Sequence, residues 1–149
     1  MAMQIKQGML IKDPWLKVNQ PADKYRDYPW FSIVPLNGLH DKSQWPLPQT
    51  WIGAWFGVGT ELQQITELIL SLPLLNIHVD SFADGRAFSL AKQLSTALGY
   101  KGELRVSGNF LLDQMAQFKE CGVTSFSLRD DSDFDHAMYI LEHSPKREF

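Results

Sequence analysis

The segment SFADGRAFSLAKQLSTALGYKGELRVSGNFLLDQMAQFKECG, residues 81–122, decides the fold class. Ala87, Leu90, Ala91, Leu94 and Leu98 recur at the three- and four-residue spacing of a helix buried along one face, and Gly99 marks its end. Glu103–Ser107 then reads as a strand, Gly108-Asn109 as a turn, and Leu111, Met115, Phe118 and Cys121 as a second helix closed by Gly122. The same segment sets Asp84, Arg86, Asn109, Asp113 and Gln114 where strands hand over to helices, which is where ligands bind in parallel α/β sheets.

The rhythm continues on both sides. Upstream, Ile52–Val58 reads as a strand, and Thr60-Glu61-Leu62-Gln63 has the spacing of a capping box. Leu62, Ile65, Leu68, Ile69 and Leu72 predict a helix stopped by Pro73, and Leu75–Asp80 predicts the next strand. Downstream, Val123–Leu128 suits a pleated surface, and Phe134, Ala137, Met138 and Leu141 give a last helix that fades near Pro145. About four consecutive β-α units predict an α/β fold with a mainly parallel sheet and right-handed crossovers. Such units build either an open three-layer sheet or a half-barrel, and periodicity does not separate the two.

Residues 1–50 differ in texture. They hold Pro14, Pro21, Pro29, Pro35, Pro46 and Pro48, six of the chain's eight prolines, and show little helical periodicity. The reading is one domain over 1–149, with an irregular Pro/Trp-rich arm (1–50) packed on a β/α core (51–145). Within the arm, Gln7–Lys12 and Trp30–Pro35 are candidate strands, the second confined by its prolines to an edge or a short extension. Trp15, Trp30, Trp45 and Trp51 either pin the arm to the core or offer a contact surface to a partner.

Composition removes several functions. A length of 149 residues with 44% hydrophobic residues suffices for one buried core. A net charge of −3 and no Lys/Arg cluster leave no footprint for nucleic acid. The run LILSLPLLNI is about half of what a bilayer requires, and MAMQIKQGMLIKD lacks the pattern of a signal peptide, so no membrane association is expected. The single cysteine, Cys121, excludes an internal disulfide, fits a cytoplasmic setting and cannot hold an iron–sulfur cluster. No cofactor is expected.

Candidate site residues gather beyond the strand ends: Asp80, Asp84, Gly85, Arg86, Ser89, Asn109 and Arg129. A guanidinium beside a helix start is a receptor for phosphate, sulfate or carboxylate. The structural alternative has Asp84 capping the helix while Arg86 pairs with Asp80 or Asp113. Gly108-Asn109 offers backbone N–H groups to an anion, against the simpler reading of Asn109 as an N-cap. The acidic run Asp130-Asp131-Ser132-Asp133-Phe134-Asp135 lacks the glycine and terminal glutamate of a calcium loop, so it reads as a dipole-matched helix start and no metal site is expected. His40, His78, His136 and His143 have no ligand spacing, His78 lying between apolar neighbours on a strand. No Ser-His-Asp arrangement emerges from the sequence.

DSFADGRAFSLAKQL and GYKGELRVSGNFLLDQMAQFKECGVTSFSL together resemble the DUF934 family over roughly residues 52–130. Asp84, Gly85, Arg86, Ser89, Glu103, Arg105, Gly108, Asp113, Gln114, Cys121 and Gly122 carry the resemblance, while Ala83 stands where the family pattern favours a polar residue. The resemblance implies a bacterial accessory or interaction protein associated with assimilatory sulfite reduction, without siroheme or iron–sulfur of its own. It also implies a sulfite-reduction protein as a partner. Coverage of exposed strand edges would make the protein a homodimer. The alternative is a small α/β enzyme or anion-binding module using the Asp84-Gly85-Arg86 rim.

Overall fold

The computed structural model describes residues 3–6, 9–18, 31–39, 51–128 and 132–143. Its strands are β1 (Met3–Lys6), β2 (Met9–Lys12), β3 (Leu16–Lys17), β4 (Ser32–Pro35), β5 (Ile52–Gly57), β6 (Leu74–Val79), β7 (Glu103–Gly108) and β8 (Ser125–Leu128). The helices are α1 (Glu67–Leu70), α2 (Arg86–Lys92), α3 (Met115–Glu120) and α4 (Phe134–Glu142). All eight strands join one sheet in the order β2-β1-β8-β7-β6-β5-β4-β3.

This sheet is mixed, which corrects the expectation of a mainly parallel one. The ladders from β3 through β8 are parallel, but β1 runs antiparallel to both β2 and β8. The N-terminal region is also not simply irregular, because it contributes β1 to β4. Its strands are two to four residues long, too short to show a period against a proline-rich background. Nor is β4 an edge strand: β3 and β5 pair with it on either side, and Pro35 is tolerated as its last residue.

From β4 to β8 each strand lies beside its predecessor, and the sheet always grows in the same direction. Right-handed crossovers then lay every helix on one face. Ala54, Phe56, Leu75, Ile77, Val79, Leu104, Val106 and Phe126 project to that face and form one buried cluster with Ile69, Ala87, Leu90, Leu94, Met115, Phe118 and Ala137 from the helices. The first expected helix is interrupted. A 3₁₀ turn at Leu62–Gln64 precedes α1, which restarts at Thr66, whose Oγ1 accepts from the Ile69 N–H at 3.4 Å. The second runs from α2 into a π-helical stretch, Gln93–Ala97, and closes at Gly99 with φ +64°.

The sheet is curled into a half-barrel, and its topology requires this. β2 and β3 are the two edges, yet only Asp13, Pro14 and Trp15 separate them in the chain. Four residue steps span at most about 14 Å. In a flat sheet of eight strands the edges would lie roughly 33 Å apart. The face that carries no helix among the described residues is therefore concave, and the segment 13–15 bridges the open seam.

Alternation gives the concave face a polar lining. Gln4 and Lys6 on β1, Lys17 on β3, Asn76 and His78 on β6, Glu103, Arg105 and Ser107 on β7, and Ser125 on β8 occupy the positions opposite the apolar cluster. At the centre stands Arg105, 1% exposed. Its Nη1 donates to Asp13 Oδ2 at 2.7 Å, its Nη2 to Glu103 Oε2 at 2.9 Å and to the Gln4 side-chain oxygen, and its Nε to Ser125 Oγ at 3.3 Å. Lys6 and the Ser125 hydroxyl complete the partners of Glu103, each at 2.8 Å. Burial pushes the Glu103 carboxyl up, but Lys6, Arg105 and Ser125 more than offset this and hold it below the usual range. One guanidinium thus fastens the seam segment and β1 to the middle of the sheet.

Arg105→Met should lower unfolding stability by about 3–5 kcal/mol, because it strands the buried Asp13 carboxylate and takes one of two cations from Glu103. Urea denaturation at neutral pH measures this, and a loss below 1 kcal/mol would show that the network is not a fastener.

Candidate functional site

The residues expected at the rim fall into two groups. Asp84, Gly85, Arg86 and Ser89 lie at the start of α2 on the surface. Asp84 Oδ1 accepts from the Arg86 backbone N–H at 3.1 Å, a turn just ahead of α2 rather than a cap, since the N-cap is Gly85, and the carboxylate takes the Arg86 guanidinium in a two-pronged pair with its shortest contact at 2.7 Å. Arg86 therefore pairs with Asp84, two residues away, and not with Asp80 or Asp113 as the structural alternative had it. The hydrogen bond lowers the Asp84 pKa and raises that of Arg86. A hollow of about 250 Å³ beside this pair is lined by Val58, Gly59, Thr60, Arg86 and Ser89.

Asn109 joins neighbouring loops. Its side-chain amide donates to the Asp80 carbonyl at 3.0 Å, and its backbone N–H donates to the Val79 carbonyl at 2.7 Å, so that N–H is already engaged. Gly108 allows this close passage. With φ +97°, a Cβ there would meet the Val79 carbonyl at 2.3 Å and the His78 ring at 2.9 Å. Arg129, Asp130, Asp131 and His40 lie outside the described residues, as do Trp30 and Trp45. Trp15 and Trp51 flank Phe31, with ring centroids at 5.4 and 6.3 Å.

Asp80 belongs elsewhere. It directly follows β6, with its carboxylate 3.4 Å from His78 Nε2, at the mouth of the concave face. His78 Nδ1 lies 3.2 Å from Lys17 Nζ and 3.2 Å from Ser107 Oγ. Lys17 also sits over the Trp55 ring, 4.3 Å from its centroid, while the Trp55 indole N–H donates to the Val18 carbonyl at 2.7 Å. Among the described residues Lys17 has no carboxylate within ion-pair distance. Burial lowers the Lys17 pKa, against the pull of Asp80. Burial also lowers that of His78, reinforced by Lys17 and opposed by Asp80.

Asn76 lies one step deeper and is 1% exposed. Its Nδ2 donates to Ser107 Oγ at 2.9 Å, while Oδ1 has no partner among the described residues. Exchanging the amide's two ends would leave the nitrogen unpaired instead, so one end lacks a partner in either assignment. A cleft of about 460 Å³, lined by Leu36, Leu39, Trp55, Phe56, Gln64 and Ile69 among others, opens against the same tryptophan.

Lys17, Trp55, Asn76, His78 and Ser107 therefore meet on one surface, and none of them was singled out as a ligand residue from sequence. A signal was present. Asn76-Ile77-His78, Glu103-Leu104-Arg105-Val106-Ser107 and Ser125-Phe126-Ser127 alternate polar and apolar residues, as expected when helices cover only one face of a sheet. Ser107, His78 and Asp80 lie in sequence of contact, yet Lys17 competes for the imidazole nitrogen that faces the serine. Among the described residues no group of three or more His, Cys, Asp or Glu could hold a metal ion, and no helix is long and apolar enough to cross a membrane.

A family model described as bacterial protein of unknown function (DUF934) matches residues 53–146. No curated protein and no solved structure matches the chain. The matched span holds Trp55, Asn76, His78, Arg105 and Ser107, whereas Asp13 and Lys17 precede it.

A base whose folded pKa is depressed leaves the unfolded chain to bind the proton first, so stability falls as pH drops below the unfolded value of about 6.5. The parent protein should lose stability over this acid range, and His78→Gln should flatten the loss. Denaturation midpoints between pH 7.5 and 5 test this, and equal slopes for the two proteins would show that His78 is not depressed.

Proposed function

This chain belongs to the DUF934 family, and from that premise we propose that it is a cytoplasmic accessory protein binding a small oxyanion at the mouth of its concave face. The observation that carries the reading is Lys17. Its ammonium is partly withdrawn from water against Trp55 and His78, with no carboxylate opposite it among the described residues. A partly desolvated cation whose partners are a ring face and an imidazole is poised to take an anion, since charge-assisted hydrogen bonds are the stronger kind. Ser107 and the amide of Asn76 supply polar contacts beside it.

Sulfite reduction is the metabolic setting we propose, and sulfite and sulfate are oxyanions of suitable size and charge. On this reading the protein acts beside the siroheme and iron–sulfur chemistry of that setting, a view that its one cysteine supports. A partner protein, or a second copy, would use the outer edge of β2, which pairs only with β1 among the described residues and where Met9 is 65% exposed.

A second reading keeps the anion at the Asp84-Gly85-Arg86 rim. It is favoured by the hollow over Gly59 and Ser89, where a Cβ on Gly59 would lie 3.5 Å from Arg86 Nη1. Against it, Asp84 already neutralises the guanidinium.

Titration calorimetry separates the two. Sulfate and sulfite should bind the parent protein, Lys17→Gln should weaken both by roughly tenfold to a hundredfold, and Arg86→Gln should leave them within about twofold. The opposite pattern would move the site to the rim, and absence of binding by either anion would overturn the proposal.

A further inference from the structure

Lys17 Nζ and His78 Nδ1, 3.2 Å apart, are two basic groups sharing one hydrogen bond. An ammonium only donates, so Nδ1 must offer its lone pair, and the imidazole is neutral with its proton on Nε2. That proton points to the Asp80 carboxylate at 3.4 Å. The remaining neighbours of the ring are uncharged: Trp55 on β5, with centroids 5.9 Å apart, and the Ser107 hydroxyl on β7 at 3.2 Å. Among the described residues the charged groups facing the imidazole are therefore Lys17 from β3 and Asp80 directly after β6.

We propose that the oxyanion site is proton-linked: an anion that takes the Lys17 ammonium frees Nδ1, and His78 takes up a proton there to become the second cation of the site. The inference rests on the anion-binding reading above. One anion and up to one proton enter together, and the new Nδ1–H bond is the only covalent bond formed. Three changes act in the same direction. Lys17 no longer donates to Nδ1, a negative charge arrives beside the ring, and Asp80 already stands at Nε2 to balance the imidazolium. In the empty site burial and the neighbouring ammonium hold the ring neutral, and an anion reverses the second of these effects.

The linkage also defines the ligand. Lys17 and protonated His78 only donate, so the fitting molecule presents acceptor oxygens alone and carries at least the charge that offsets Lys17, Asp80 standing opposite the imidazolium. A fully ionised dianionic oxyanion meets this description.

Sulfate is the probe, because it does not titrate near neutral pH. Calorimetric titrations of the full chain at one pH, in two zwitterionic buffers of different ionisation enthalpy, read the protons taken up per sulfate bound. Uptake should lie above zero and reach up to one. Affinity should weaken by as much as about tenfold per pH unit between the point where His78 titrates in the empty protein and the higher point where it titrates in the complex, and level off above that. His78→Gln should still bind sulfate but lose both the uptake and the pH dependence. Sulfate binding by the parent protein without proton uptake overturns the linkage and leaves the anion reading standing, a result that needs no variant. Uptake that persists in His78→Gln has the same meaning. If sulfate fails to bind at all, both readings fall.

Discussion

The buried guanidinium of Arg105 is the interaction on which the rest of this structure depends. A cation that is 1% exposed costs several kcal/mol in desolvation unless its donors are met, and meeting them requires residues far apart in the chain. Glu103 is local, but Gln4, Asp13 and Ser125 come from β1, the seam segment and β8. The sheet can satisfy Arg105 only by curling until its edges approach and the segment 13–15 reaches over the concave face. The N-terminal strands are thus part of the curled sheet's closure, and they deliver Lys17 to the mouth on the way.

Curling also divides the labour between the two faces. The convex face is covered by helices and stabilised by apolar burial, with stacked Phe88 and Phe118 (centroids 4.2 Å apart) among its contacts. Among the described residues no helix covers the concave face, and its polar residues answer to one another. Deep in the face the charges cancel: Arg105 and Lys6 against Asp13 and Glu103. At the mouth they do not cancel as closely, because Lys17 meets an imidazole and a ring face, with Asp80 held off on the far side of His78. Uncancelled charge next to an incompletely paired amide is where a ligand gains most from binding.

The core units were legible in sequence because burial against helices writes a strong period. Leu75, Ile77 and Val79, or Ala87, Leu90 and Leu94, state their faces plainly. β1 and β3 were not legible, since strands of two to four residues carry too few positions to show alternation. The antiparallel pairing of β1 was invisible for the same reason. The rim was read too generously: Asp84 and Arg86 stand where ligands often bind, yet they answer each other locally. His78 was read too narrowly. Between apolar neighbours it looked structural, and only the long-range register of β3, β5 and β7 brings Lys17, Trp55 and Ser107 around it. Several residues of the family pattern have structural work as well. Gly108 lets the chain pass close to Val79 and the His78 ring, and Glu103 and Arg105 build the buried network.

The central claim is that the concave face, not the outer rim, receives the ligand. A sulfate titration followed by nuclear magnetic resonance tests it residue by residue. The account predicts saturable shifts at the Trp55 indole N–H, the His78 ring and the Ser107 and Asn76 signals, with Arg86 and Ser89 unmoved. Shifts confined to Arg86, Ser89 and Gly59 would contradict it.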